Sequence, residues 1–328
     1  MPIYDLGYRP WTGRLTPAWS RWWAISRSGI GLAFRSKILR RCLFLAIAPL
    51  LYFGPLFFAI GSLTDPDSGW GNMVRRFLGG GLTERLVEDP ASVRPQVWSA
   101  IFAYYFMYFQ SSLTFLVLAI VGPPLISQDV RSKAFLLYFS KPITRMEYLL
   151  GKGGTALFYV LLVTLVPGLV LYVLSVAFSP SLSVVADTAA TIPRILAASA
   201  VLAVPATLVV LALSSLTDNP RFATFGWIAL CLLGPVFVFT LEHVPELRGS
   251  SWLFFLSLHE AAFVVVGALF DVEGIVRLAK ELHAPDLYEV LDLLHSPYSP
   301  ATAAVYLAGV CGLAVAVVYR RISAPLRV

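Results

Sequence analysis

Six apolar segments, each about as long as a lipid bilayer is thick, constrain the fold of this chain more than any other feature of its sequence. A helix needs about 20 mainly apolar residues to cross the hydrocarbon core. The segments that meet this requirement are 43–62, 99–125, 155–178, 193–216, 222–241 and 301–319. Only 13% of the residues are charged, about half the share typical of soluble domains. This composition excludes a soluble enzyme and a disordered chain. We predict an all-α polytopic membrane protein with six transmembrane helices.

A seventh apolar segment, 252–270, carries the polar pair His259 and Glu260 near its middle. Such a pair is costly in lipid, and the charge distribution also argues against a seventh span. With six spans and cytoplasmic termini, the cytoplasmic pieces hold 17 Lys and Arg against four acidic residues, a net +13, and the external pieces carry −7. The positive-inside rule requires this kind of asymmetry. We therefore predict that 252–270 is an external re-entrant hairpin and that the protein lies in the cell (inner) membrane.

The whole chain, 1–328, is predicted to form a single transmembrane domain. Its parts are a cytoplasmic and interfacial segment (1–42), spans one to five (43–241), an external re-entrant and helical region (242–300), span six (301–319) and a cytoplasmic tail (320–328). Residues 63–98 are predicted to form an external connection. Gly122-Pro123-Pro124 is predicted to end the regular helix of the second span.

An amphipathic helix is predicted ahead of the first span, with Thr16 as its N-cap and Pro17 in its first turn. Its apolar and basic residues would face the acyl chains and the headgroups, respectively. The apolar set is Trp19, Trp22, Trp23 and Ile30, and the basic set is Arg21, Arg27, Arg35 and Lys37. This composition is typical of a helix that lies in the membrane plane. The alternative is a basic juxtamembrane linker.

Sequence motifs for catalysis and metal binding are incomplete. The run Gly151-Lys152-Gly153-Gly154-Thr155 lacks the earlier glycine of a phosphate-binding loop and has glycine where Ser or Thr should follow the lysine. His259-Glu260 begins like a zinc-protease motif, but Phe263 stands in place of the second histidine. The four histidines are 12 to 24 residues apart, a spacing without a ligand signature. We predict no catalytic residue, metal or cofactor, and the alternative is a metal-binding vestibule outside the membrane.

Polar residues are sparse within the predicted spans, but Gln110, Ser111 and Thr114 cluster near the middle of the second one. Polar groups inside a membrane usually face a bundle interior or a cavity. These residues are therefore candidates for lining a translocation path. Hydrogen bonding between helices is the alternative.

The loop between the second and third spans, 126–152, carries the most specific pattern in the chain. It reads ISQDVRSKAFLLYFSKPITRMEYLLGK. An acidic residue with basic neighbours is followed by a Leu-Leu pair, a proline, an arginine and Gly-Lys. These residues are Asp129, Arg131, Leu136, Leu137, Pro142, Arg145, Gly151 and Lys152.

This order and spacing resemble the corresponding loop of ABC-2 type permeases, the membrane subunits of a large class of ABC transporters. The six-span plan, the basic N-terminal helix and the polar residues 214–218 are also similar to that family. The family usually has Gly-Thr where this chain has Lys133-Ala134, which leaves the geometry of the local turn open.

The resemblance implies a transport subunit that is not itself an enzyme. Two such permease subunits, forming a homodimer or a related heterodimer in the lipid bilayer, would each bind a cytoplasmic ABC ATPase subunit. The ATPase would bind ATP and Mg²⁺, and ATP hydrolysis would drive export of an unidentified substrate. The loop would contain a coupling helix. Its ATPase contacts would be Gln128, Asp129, Arg131, Ser132 and Lys133, and its anchors Phe135, Leu136 and Leu137.

Three alternatives remain open at this stage. The loop could be a positively charged segment that only fixes orientation. The chain could be an ATPase-coupled regulator that acts on an external accessory protein through 242–300, a region long for a simple connection. It could also be a membrane-embedded metal-dependent enzyme that uses the external His and Glu residues. None of these functions involves nucleic acid.

Overall fold

The structure is a computed structural model. It describes residues 17, 20–63, 69, 71–72, 81–134, 138, 143–247, 250, 252–281, 294 and 296–323. Every regular element within these ranges is helical, and they contain no β-strand. The predicted positions Thr16, Trp19, Phe135, Leu136 and Leu137 lie outside the described residues.

The helices are numbered here in chain order. Their bounds are α1 Arg21–Ala33, α2 Lys37–Leu45, α3 Ala48–Leu63, α4 Gly81–Glu88, α5 Pro90–Tyr104, α6 Ser111–Arg131, α7 Arg145–Ala177, α8 Ser183–Asp187, α9 Thr191–Ser215, α10 Pro220–Glu242, α11 Leu258–Leu269, α12 Val272–Glu281 and α13 Pro300–Ser323. A π-helical turn, Tyr105–Gln110, joins α5 to α6, and a 3-10 turn, Leu253–Leu256, precedes α11.

Six helical stretches are long and apolar enough to cross a membrane, which confirms the predicted number. They are Lys37–Leu63, Pro90–Arg131, Arg145–Ala177, Thr191–Ser215, Pro220–Glu242 and Pro300–Ile322. The seventh apolar segment contains only the 12-residue helix α11, shorter than the roughly 20 residues that a span needs. Its re-entrant path remains a prediction.

Several helices extend beyond their apolar segments, because local capping rather than hydropathy determines where they begin. The second spanning helix begins at Pro90, not at 99, with the proline at a first-turn position where a missing N–H has no cost. Part of the predicted external connection 63–98 is therefore helical. The third begins at Arg145, not at 155, after a capping box in which the Thr144 and Glu147 side chains bond each other's backbone N–H groups.

The prediction that Gly122-Pro123-Pro124 ends the second spanning helix is wrong. Helix α6 continues through both prolines to Arg131, and a hydroxyl group from α9 bonds backbone groups of the turn that follows them. Ser214 Oγ on α9 donates to the Pro123 carbonyl (2.5 Å) and accepts from the N–H groups of Ile126 (3.1 Å) and Ser127 (3.0 Å). A Cβ at position 122 would lie 2.5 Å from a Val210 methyl group, so glycine permits this close contact with α9.

The N-terminal amphipathic helix exists, but its predicted bounds are wrong. It begins at Arg21 rather than beside Pro17, and it ends at Ala33. Lys37 belongs to the next helix, α2, whose N-cap Ser36 accepts a hydrogen bond from the Leu39 N–H (3.3 Å). The cap interrupts the amphipathic segment, so α1 and the first spanning helix are separate.

The six spanning helices alternate in direction, so the start of the first, Lys37, and the end of the last, Ile322, lie at one face of the bundle. At this face the end of α6 contacts the start of α7 through Asp129 and Lys152, and α1 contacts the start of α7 through Ser26 and Gly151. The Arg145 guanidinium lies 5.6 Å from the ring centre of Tyr319, near the end of α13. The described residues of the 126–152 loop, α1 and the end of α13 therefore share one face, which we refer to as the loop face.

The opposite face is held together by aromatic packing and by two arginines, of which Arg94 is buried and Arg194 is half-buried. Arg94 on α5 pairs with Asp187 on α8 at 3.0 Å, and Arg194 on α9 donates to Ser99 at 2.6 Å. Beneath these contacts lies a core of large aromatic side chains from α3, α5 and the helical turns around them. It includes Phe53, Phe57, Trp98, Phe102, Tyr105, Phe106 and Phe270.

The described part of 242–300, the region predicted to be external, packs against the bundle. Ser257 caps α11 by accepting from the Glu260 N–H (3.2 Å), and the Tyr298 hydroxyl donates to the Glu242 carboxylate at the end of α10. Burial, together with this hydrogen bond, raises the pKa of Tyr298. Tyr298 therefore stays protonated at neutral pH and keeps donating to Glu242.

Candidate functional site

The predicted ATPase contacts lie in the last turn of α6 and the turn that follows it. Gln128, Arg131, Ser132 and Lys133 are exposed at the loop face. Asp129 differs from them, because its carboxylate is directed into the protein and is only 14% exposed. The structure thus separates an exposed polar set from one internal acidic residue.

Asp129 is the centre of a charged and aromatic cluster that joins α6 to α7. Its Oδ2 atom lies 2.6 Å from Lys152 Nζ and accepts a hydrogen bond of 2.7 Å from the Tyr148 hydroxyl. The same ammonium lies 5.8 Å from the ring centre of Tyr138 and 5.6 Å from that of Tyr148. We refer to Asp129, Lys152, Tyr148 and Tyr138 as the Asp129 cluster.

The surroundings of this cluster strengthen its ion pair. Both charged side chains are less than 15% exposed, so their attraction is screened less than that of a surface pair. Burial, followed by the negative charge of Asp129, raises the pKa of Tyr138. Tyr138 therefore stays neutral at physiological pH and does not add a second anion beside Asp129. The cluster fixes the end of α6 against the start of α7.

Helix α6 ends in a Schellman motif that determines the direction of the loop. The Ala134 N–H donates to the Asp129 carbonyl (2.9 Å), and the Lys133 N–H donates to the Val130 carbonyl (3.2 Å). Lys133 has a φ of 54°, in the left-handed region that favours glycine. The chain therefore has a glycine-type turn with a lysine in it.

Replacing Lys133 with glycine should therefore stabilise the protein. A non-glycine residue in the left-handed region costs about 1 kcal/mol, and the exposed lysine side chain makes little packing that could be lost. We expect K133G to raise the free energy of unfolding by up to about 1 kcal/mol, because the conformational entropy that glycine adds to the unfolded chain offsets part of the gain. Thermal unfolding in detergent would measure it, with S132G, one residue earlier, as the control that should destabilise.

Helix α1 packs directly on the start of α7, beside the Asp129 cluster. Ser26 is fully buried and donates to the Gly151 carbonyl (2.8 Å), and the Tyr159 hydroxyl donates to the Ile30 carbonyl (2.6 Å). Ile30 is thus at the α1–α7 contact rather than facing acyl chains as predicted, whereas Trp23 remains 48% exposed. Gly151 and Gly154 face α1 at this contact, and the whole 151–155 run lies inside a helix, not in a phosphate-binding loop.

The three candidate path residues are brought together around the π-helical turn. Gln110 is completely buried, and neither atom of its amide has a hydrogen-bond partner among the described residues. The Thr114 hydroxyl, one helical turn away, is also buried and has no hydrogen-bond partner among the described residues. Ser111 Oγ donates to the Met107 carbonyl and lies 3.4 Å from His259 Nε2 on α11.

This buried polar group is unusual, because an unpaired amide in a membrane interior is costly. π-helical turns are often found at functional sites. The arrangement provides both donors and acceptors with no charged side chain among its three members. It can therefore bind water or the neutral polar part of a solute.

Sequence reasoning did not identify Lys152, Tyr148, Tyr138 or Ser26 as parts of a site. The sequence assigns Lys152 only to an incomplete phosphate-loop motif and to the Gly-Lys end of the loop pattern. The available signal for its pairing is its charge, opposite to that of Asp129 across the same loop. Among the described residues, no group of three or more His, Cys, Asp or Glu side chains could hold a metal ion. His283 and His295 lie outside those residues.

Comparisons with known proteins were made at the level of families and of individual sequences. No protein-family model matches this chain, and no curated protein sequence matches it either.

Proposed function

We propose that the chain is the permease subunit of an ABC transporter of the ABC-2 class. The observation that carries this proposal is the 126–152 loop. Its residue pattern resembles that family, and its exposed polar residues stand beside an ion pair that joins two spanning helices. The six long apolar helices are consistent with the proposal.

In the proposed mechanism the loop face is cytoplasmic and the exposed residues Gln128, Arg131, Ser132 and Lys133 contact an ABC ATPase subunit. ATP binding closes the ATPase dimer and moves the loops of the two permease subunits together. Asp129 acts as a positioning residue, since its contacts with Lys152 and Tyr148 transmit the movement to α7. Hydrolysis takes place in the ATPase subunit and resets the loops.

The contacts of α7 give the movement a route into the bundle. The same helix segment that holds Lys152 packs on α1 through Gly151 and Ser26. Further along the bundle, the unpaired amide of Gln110 and the hydroxyl of Thr114 provide hydrogen-bonding groups for a polar solute. A change at the loop face would thereby alter access to these groups.

Reversing the two exposed charges at the end of α6 tests the ATPase contact. We expect R131E/K133E to weaken association with the ATPase at least about tenfold, because like charges then face each other at the rim of the interface. The full chain would be purified from its native membrane, and the bound ABC ATPase would be quantified by mass spectrometry and by ATP turnover. The matched control is R85E/R277E, with the same charge change on exposed arginines at the opposite face.

The outcomes separate the competing functions. Equal ATPase recovery from wild type and R131E/K133E would overturn the assignment of the contact. The absence of any ABC ATPase from the wild-type preparation would overturn the proposed function. An ATPase that binds but drives no solute movement in vesicles would favour the regulator that acts on an external protein.

A further inference from the structure

A large cleft opens between α1 and α6 at the loop face. Its volume is about 1400 Å³, and its walls come from α1, the start of α2, the last turns of α6 and the start of α7. This exceeds the range of about 300 to 1,000 Å³ that is usual for small-molecule pockets. The cleft is therefore large enough for an amphiphile with a headgroup and part of its chains.

Positive charge lines the mouth of the cleft. Arg27 and Arg35 both line it, both are exposed, and no hydrogen bond or ion pair to another described residue is assigned to either guanidinium. The acidic residue in the wall, Asp129, is paired with Lys152, so those two charges offset each other. The arginines consequently leave a net positive mouth that can bind an anion.

The inner wall of the cleft is apolar. Leu39 of α2 and Ile120, Val121 and Leu125 of α6 line it. The three α6 residues belong to a helix that is long and apolar enough to cross a membrane, so this wall suits contact with an acyl chain. Free phosphate or a nucleotide would leave this apolar wall uncovered, whereas a phospholipid would cover it.

We propose that the cleft is a binding site for an anionic phospholipid, with its phosphate between Arg27 and Arg35 and its acyl chain along α6. Arginine suits this role because its guanidinium binds phosphate oxygens in a bidentate geometry. The bound lipid fills the space between α1 and α6 and neutralises the arginines. The site depends only on this chain, so it does not rest on the proposed transport function.

The test measures lipid retained by the purified full chain. The protein would be exposed to mixed micelles with equal phosphatidylglycerol and phosphatidylcholine, and bound lipid would be counted by native mass spectrometry. We expect preferential retention of phosphatidylglycerol, and about 30-fold weaker binding in R27Q/R35Q. The matched control R221Q/R320Q also removes two exposed arginines at the loop face, but neither lines the cleft.

A second variant separates the cleft from general electrostatic attraction. Gly31 lines the cleft, and a Cβ there would meet no atom within 4 Å, so G31W fills the cleft without a clash at its Cβ and without a change in charge. We expect G31W to lose the retained phosphatidylglycerol and to keep the wild-type unfolding temperature in lipid-free detergent.

Two results would overturn the site. One is equal loss of phosphatidylglycerol in R27Q/R35Q and in the control R221Q/R320Q, together with full retention in G31W. The other is displacement of the lipid by millimolar inorganic phosphate, which would indicate an anion site without an acyl-chain wall.

Discussion

Replacing Asp129 with asparagine should destabilise the protein by about 3 kcal/mol, because it leaves Lys152 partly buried without a counter-charge. The two side chains of this 2.6 Å ion pair are only 13% and 14% exposed. The pair should therefore stabilise the protein more than a typical surface ion pair does. The remaining contacts of the ammonium with the Tyr138 and Tyr148 rings offset part of the loss. Thermal unfolding in detergent would measure the change.

A double-mutant cycle isolates the pair from its surroundings. K152M should cost about as much as D129N, whereas D129N/K152M should cost less than the sum, since it leaves no unpaired charge. R221Q is the matched control, an exposed charge at the same face, and should change stability by about 0.5 kcal/mol or less. Strictly additive losses, or a D129N loss below about 0.5 kcal/mol, would show that the pair behaves as an ordinary surface contact.

The number of spanning helices could be predicted from the sequence, because apolar length alone determines which segments can cross a bilayer. Their ends could not, since they depend on capping groups such as Thr144 and Glu147 that lie outside the apolar segments. The continuation of α6 through Pro123 and Pro124 could not be predicted from the sequence either. The Ser214 hydroxyl that bonds the turn after the prolines lies far along the chain and becomes a neighbour only after α9 packs on α6.

The candidate site could likewise be predicted from the sequence only in part. The loop pattern identified the exposed residues at the end of α6 but grouped Asp129 with them, because linear order does not show which side of a helix end faces inward. Its partner Lys152 lies more than six helical turns further along the sequence, beyond the reach of local rules. The left-handed turn at Lys133 was equally hidden, since lysine carries no signal for that conformation.

Replacing Gly151 with alanine should cost about 3 kcal/mol, at the upper end of what overpacking usually costs. A Cβ at this position would lie 2.6 Å from Ile25 Cβ and 3.0 Å from the Trp22 carbonyl oxygen of α1. The clash is with the backbone and Cβ of a packed helix, so no rotamer change relieves it. It would also strain the hydrogen bond from Ser26 to the Gly151 carbonyl.

Gly153 provides a matched control two residues away in the same helix. Its Cβ would meet only a Leu211 methyl group at 3.7 Å, an ordinary contact. G153A should therefore stabilise the protein by up to about 1 kcal/mol, through the higher helix propensity of alanine. In G151A, tryptic cleavage after Arg27 should become faster than in wild type, because α1 separates from α7. Equal shifts of the unfolding temperature in G151A and G153A would show that the packing of α1 does not require glycine at 151. The α1–α7 contact would then not contribute to the stability of the loop face.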